Sequence, residues 1–240
     1  MGVINVGPTP PPILYLSDGG HVENLGILPL LKRKCEKIVV INAGRVEEDL
    51  GIAHSLLYAL TQAREKLHCS FTGMDGRDVY EDIRTVIADR PPGKQPRSYR
   101  FKVQYFDYTD EGEEKKVGEG EILYVLPRHP KLGLSEKLSI WEEITDEVKI
   151  DIEPDLWGIG PEVEPKEVDR LTFCCCECCH CHALQFLSKS CCGVFPNHIT
   201  SNQLFTPAQF SAYHREGYRA CMEARAAEFL GGSGDNSELN

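Results

Sequence analysis

The chain predicts an α/β fold built around a parallel strand unit, and three observations carry that expectation. Residues 13–16 form a short apolar run, residues 27–34 read as a helix, and residues 38–43 are a second apolar run bounded by Gly44. Strand, helix and strand in that order make a parallel unit in an α/β layer. Residues 51–67 carry an apolar stripe at helical spacing, and residues 100–108 and 121–126 read as two strands around an acidic turn.

Each element has a local reason. Residues 8–12 are proline-rich and predict an extended, exposed lead-in. The helix at 27–34 has Pro29 in its first turn, where the missing N–H costs little, and Lys32, Arg33 and Lys34 at its end, where cations are favoured. With no further basic cluster beside it, that triplet reads as a solvated helix end. The run at 38–43 is expected to be a strand buried in a sheet covered on both faces. Within 51–67, Ile52, Leu56, Ala59, Leu60, Ala63 and Leu67 share one face and belong to the core.

The strands at 100–108 and 121–126 flank the acidic turn 109–119 and predict a hairpin, and a half-exposed strand accounts for the arginines and tyrosines between Arg97 and Tyr108. Residues 138–172 are acidic, contain several prolines and lack a sustained period, as expected of an insertion made of short helical or irregular pieces. Thr206 is a helix N-cap with Pro207 at the first helical position. That helix is expected to run to about Phe229, with Phe210, Tyr213, Gly217, Ala220, Ala224 and Ala227 on its packing face.

The strongest functional signal is Ser17-Asp18-Gly19-Gly20-His21-Val22-Glu23-Asn24-Leu25-Gly26. A carboxylate that ends a strand and meets two glycines can point into a site, because glycine lets the backbone bend sharply and approach another group. Such a placement suits a general base. Asp-Gly is also a common turn dipeptide that usually carries no chemistry, so spacing alone leaves both readings open.

The whole string closely resembles the aspartate motif of the patatin-like phospholipases, and the resemblance continues through Pro29-Leu30-Leu31-Lys32-Arg33-Lys34-Cys35 and the strand that follows. A second block resembles the closing segment of the larger bacterial-type members: Phe195-Pro196-Asn197-His198-Ile199-Thr200-Ser201-Asn202-Gln203-Leu204-Phe205-Thr206-Pro207-Ala208-Gln209-Phe210, continuing to Tyr213, Gly217 and Tyr218. Gly120-Glu121-Ile122-Leu123-Tyr124-Val125 matches more loosely. The resemblance implies part of a three-layer α/β/α domain. Its implied boundaries are 1–126 for the C-terminal part of that domain, 127–194 for an acidic and Cys-rich insertion, 195–230 for the closing segment and 231–240 for a disordered tail.

The resemblance also implies a serine and aspartate dyad, with Asp18 as general base and Gly19, Gly20, His21 and Asn24 shaping or supporting the motif. In that family the serine sits in a Gly-x-Ser-x-Gly elbow, where backbone N–H groups steady the oxyanion. Seventeen residues precede Asp18 and contain neither the elbow nor a glycine-rich oxyanion loop. Gly231-Gly232-Ser233-Gly234 is the nearest approach, but Asp235 follows it in a polar tail. Ser17 adjoins Asp18 on a strand, where neighbours face opposite sides, and is a poor nucleophile candidate. The chain is therefore expected to lack its nucleophile and to be inactive alone.

Composition narrows the classes further. A formal charge of −11 opposes nucleic-acid binding and non-specific attraction to anionic membranes, both of which rest on Lys and Arg. No apolar stretch approaches the ~20 residues a membrane-spanning helix needs. The expected location is cytoplasmic or peripheral to a membrane, with a lipid met through apolar surface or an anchor.

Eight of the eleven cysteines lie in one segment, Cys174, Cys175, Cys176, Cys178, Cys179, Cys181, Cys191 and Cys192. Three readings stand. S-acylation is one, since Leu171, Phe173, Leu184, Phe186 and Leu187 flank the run as at a peripheral membrane anchor. Zinc is the second: Cys175-x-x-Cys178 and Cys178-x-x-Cys181 have ligand spacing, and Cys191, His182 or His198 would complete four ligands, although a run this dense creates such pairs automatically. Reduced thiols without a specific role are the third. The implied hydrolase itself requires no cofactor.

Two functions from different classes follow. In one the chain is the aspartate-bearing part of a patatin-like lipid acyl hydrolase, its partners a lipid substrate or membrane surface and the missing N-terminal catalytic part. In the other it is a non-catalytic membrane-docking or interaction module that uses the Cys-rich segment.

Overall fold

A computed structural model of the chain describes residues 19–44, 51–88, 96–129, 165–171, 194–198 and 205–231. A one-turn 3-10 helix at Gly19–His21 opens the described chain, followed by α1 (Leu28–Lys32), β1 (Lys37–Ile41), α2 (Gly51–Leu67), β2 (Cys69–Gly73) and α3 (Val79–Ile83). After α3, which runs into a wide turn at Arg84–Ala88, come β3 (Ser98–Tyr108), β4 (Glu114–Val125), α4 (Pro165–Arg170), α5 (Pro207–Glu223) and α6 (Ala226–Gly231).

The sheet is mixed, in the order β1-β4-β3-β2. β1 lies parallel to β4, Lys37 facing Glu121 and Ile41 facing Val125, while β3 is antiparallel to both β4 and β2. The expected hairpin is present, and its connection is shorter than the acidity of 109–119 suggests. β4 begins at Glu114, because residues 114–120 still pair with Tyr108 back to Val103; Phe106 to Tyr108 extend past β2 as a two-stranded ribbon, while Val103 to Tyr105 also pair with β2. The strand that would complete the expected parallel unit, residues 13–16, lies outside the described residues.

Helices cover both faces of the sheet. On one, Ile38, Val40, Phe71, Phe101, Val103, Ile122 and Tyr124 pack against Ile27 and Leu31 from the α1 region and Leu56, Ala59, Leu60 and Ala63 of α2. Leu56, Ala59, Leu60 and Ala63 of the α2 stripe are therefore core as expected, with Leu67 partly buried against them. On the other face, Val39, Leu123 and Val125 meet Ala220 of α5 and Phe229 of α6. β1 is not buried throughout, however: Ile41 is 54 % exposed at its end, beyond the reach of this smaller second layer.

Gly120 permits the parallel pairing. A Cβ there would lie 2.7 Å from the carbonyl oxygens of Cys35 and Glu36, the segment that leads into β1. The same approach lets the Glu121 amide donate to the Glu36 carbonyl at 2.8 Å. No side chain fits that gap without moving backbone.

The C-terminal helix corrects two expectations. Thr206 is the N-cap and forms a capping box with Gln209, as its sequence predicts. The helix then breaks at Ala224 and Arg225, the latter at φ 51°, instead of running unbroken to Phe229. Its buried face is Gln209, Ala212, Glu216, Arg219 and Ala220, whereas Phe210 is 48 % exposed. Charged residues occupy that face because ion-pair partners wait there, which an apolar pattern cannot reveal.

Candidate functional site

The residues after Asp18 form a braced arch. Val22 and Glu23 both donate their amides to the Gly19 carbonyl, at 2.9 and 2.8 Å, closing the turn that begins at the two glycines. Glu23 is buried, and its carboxylate accepts from the Leu25 amide and, at 3.0 Å, from that of Ile27. These N–H groups precede α1, so the side chain satisfies donors that a helix start leaves open and sets a negative charge at its positive end. Gly26 sits at φ 67°, a conformation that favours glycine, and Ile27 and Leu31 anchor the far side of the arch in the core.

Of the residues singled out in the sequence, Gly19, Gly20 and Asn24 are exposed on this arch, and His21 closes its first turn. Asp18 and Ser17 lie outside the described residues. So do the cysteines from Cys174 to Cys192, His182 and the tail beyond Gly231. His198 is described and buried, with its Nδ1 2.9 Å from the Tyr213 hydroxyl. Burial pushes its pKa down, opposed by the Leu171 backbone. Among the described residues no three His, Cys, Asp or Glu side chains are grouped to hold a metal.

Past the end of β1, Asn42 continues the parallel ladder by donating its amide to the Val125 carbonyl at 3.0 Å. Its Nδ2 donates to the Tyr124 hydroxyl at 2.7 Å, and its Oδ1 accepts from the Gly44 amide at 3.0 Å. The loop leaving β1 is thereby tied to β4. Open α/β sheets commonly place sites beyond such C-terminal strand ends. A polar residue closing an apolar run just before a glycine was the sequence signal for Asn42; for Glu23 it was a carboxylate just ahead of a Pro-initiated helix.

A buried charge network lies at the same end of the sheet, where β3 begins and β4 ends. Arg97 Nη1 is 2.9 Å from Glu216 Oε1, and Arg97 Nε is 2.8 Å from Glu223 Oε2. Arg219 also pairs with Glu223, at 3.2 Å, and the Arg128 amide donates to Glu216 Oε1 at 2.7 Å. Burial pushes the Glu216 carboxyl up to about 7, against the opposing pull of Arg97, and pushes Arg128 down to about 10. With no exposed surface, Glu216 locks α5 to the sheet and does not meet a substrate. Burial likewise raises the Cys69 thiol to about 11 and raises Cys221, so neither supplies a thiolate nucleophile at neutral pH.

Fold and site together define a mixed α/β protein with helices on both sheet faces and a braced glycine turn leading into the parallel edge. No family model, no curated protein and no solved structure matches the chain. Among the described residues no helix is long and apolar enough to cross a membrane.

Proposed function

We propose that this chain is the aspartate-bearing part of a patatin-like lipid acyl hydrolase, with Asp18 as the general base that activates a serine supplied by sequence outside these 240 residues. The observation that carries the reading is the arch: the residues following Asp18 are fastened by Glu23, turned by Gly26 and rooted in the core through Ile27 and Leu31. A base must be held within hydrogen-bond reach of the proton it removes. Bracing the backbone just after Asp18 serves that requirement, while Gly19 and Gly20 remain open to solvent.

The chemistry proposed is acyl transfer from a glycerophospholipid or similar ester. Asp18 takes the serine proton as the hydroxyl attacks the ester carbonyl, and returns it to the departing alcohol. Water then releases the acyl group by the same route, with no cofactor. The cysteine segment is proposed to act apart from this chemistry, as an anchor or a zinc site, and the protein to work in the cytoplasm or at a membrane surface.

The test is Asp18→Asn in a protein extended to include a Gly-x-Ser-x-Gly elbow. Ester hydrolysis should fall by on the order of 10² or more with the fold intact. A folded Asp18→Asn protein that keeps most of its turnover would defeat the assignment.

A further inference from the structure

We propose that the groove between α1 and the last turn of α2 docks the chain onto the anionic surface of a phospholipid bilayer. The open groove has a volume of about 570 Å³; Leu28, Pro29 and Leu67 supply its apolar lining, and Lys32, Arg33 and Lys66 its charge. No carboxylate lines it among the described residues. The basic triplet that looks like an isolated helix end in the sequence thus gains a further cation and an apolar floor from α2, thirty-odd residues on.

The neighbouring charges show which cations remain available. Lys34 is held by Asp107 at 2.5 Å and Arg64 by Asp78 at 2.6 Å, so these two are committed elsewhere. Arg33 donates to the Pro29 carbonyl at 3.2 Å within its own helix, and Lys66 bonds to the neutral amide of Gln62. Lys32, Arg33 and Lys66 are all exposed. Helix dipoles account for a cation at each C-terminus. They do not account for two such ends sharing one apolar groove, where like charges repel unless an anion lies between them.

A membrane surface fits better than an enclosed small ligand, because the groove is open and its apolar floor suits the headgroup and acyl boundary. The net charge of −11 does not forbid this. Charges more than ~8 Å apart are largely screened at physiological salt, so a local basic cluster governs contact. The groove lies near the start of β1, whereas Asn42 and Gly44 lie past its end. The inference stands whether or not Asp18 is a base.

The test is co-sedimentation of the 240-residue chain, made in bacteria so that no cysteine acylation contributes, with two kinds of vesicle. One is phosphatidylcholine alone and the other contains about a third phosphatidylserine. Binding is expected to the second only. It should fall by about 10²-fold in Lys32→Ala/Arg33→Ala/Lys66→Ala, about fivefold for each cation removed. Lys102→Ala/Lys115→Ala, at exposed positions on the hairpin, should keep wild-type binding. If the triple variant does not fold, Lys32→Ala and Lys66→Ala singly should each lose about fivefold. Absence of wild-type binding, equal binding to neutral vesicles, equal loss in the hairpin control, unchanged binding in the groove variants, or displacement by inorganic phosphate would each overturn the proposal.

Discussion

Arg97 and Glu216 lie 119 positions apart in the chain and meet at 2.9 Å with both side chains almost wholly withdrawn from solvent. This contact joins the start of β3 to the middle of α5, and so ties the C-terminal segment to the sheet. Removing one member of a buried pair leaves the other charge uncompensated, which typically costs about 3–5 kcal/mol, against a total stability of about 5–15 kcal/mol. Arg97→Ala should therefore lower the urea midpoint sharply. An unchanged midpoint would mean that α5 is held by its apolar contacts alone.

Glu216 should also imprint a pH dependence. Its folded pKa, raised to about 7 by burial, lies above the value near 4.3 expected in the unfolded chain. A carboxyl shifted in this direction favours the fold most below the unfolded pKa, and that contribution is lost as pH rises through the folded value. Glu216→Gln keeps an oxygen for Arg97 and the Arg128 amide but cannot titrate. Its stability profile between about pH 4.5 and 7 should be flatter than the wild type's, as measured by urea unfolding at several pH values. Parallel profiles would show that Glu216 does not titrate in this range.

Gly120→Ala should destabilise the protein by about 1–3 kcal/mol, the usual range for forcing an atom into an occupied site. Its new methyl would press on the carbonyls of Cys35 and Glu36, both backbone atoms that cannot rotate away. Thermal unfolding is the measurement. A melting temperature equal to the wild type's would show that β1 can shift away from β4 without cost.

Glu23→Ala removes the acceptor that fastens the arch, and the loss should be about 1 kcal/mol, comparable to losing a helix cap. Hydrogen exchange gives the sharper reading, because the Ile27 amide loses its partner. Exchange at Ile27 should accelerate while amides in β3 keep their protection. Uniform acceleration would indicate global destabilisation instead of a local release.

The proposed function requires that residues 1–240 alone hydrolyse neither phospholipids nor short-chain aryl esters, since Asp18 would then have no serine to activate. Robust turnover that survives Asp18→Asn would reveal a different site in the chain.

Local chemistry made much of the fold legible in the amino-acid sequence. The stripe on 51–67, Pro29 near the start of α1, and the Thr206 and Pro207 helix start each depend on residues within a turn or two of one another, so spacing suffices to read them. The turn at Gly19 and Gly20 was legible for the same reason. What only the tertiary structure decided involves partners far apart in the chain. Glu216 and Arg219 lie on a buried helix face because Arg97 and Glu223 meet them there, and apolar periodicity carries no record of that pairing. Gly120 is constrained by a chain crossing from residues 35 and 36, and Lys66 joins Lys32 and Arg33 only because α2 packs beside α1. Such relationships are set by how the elements pack in space, which local propensity does not specify.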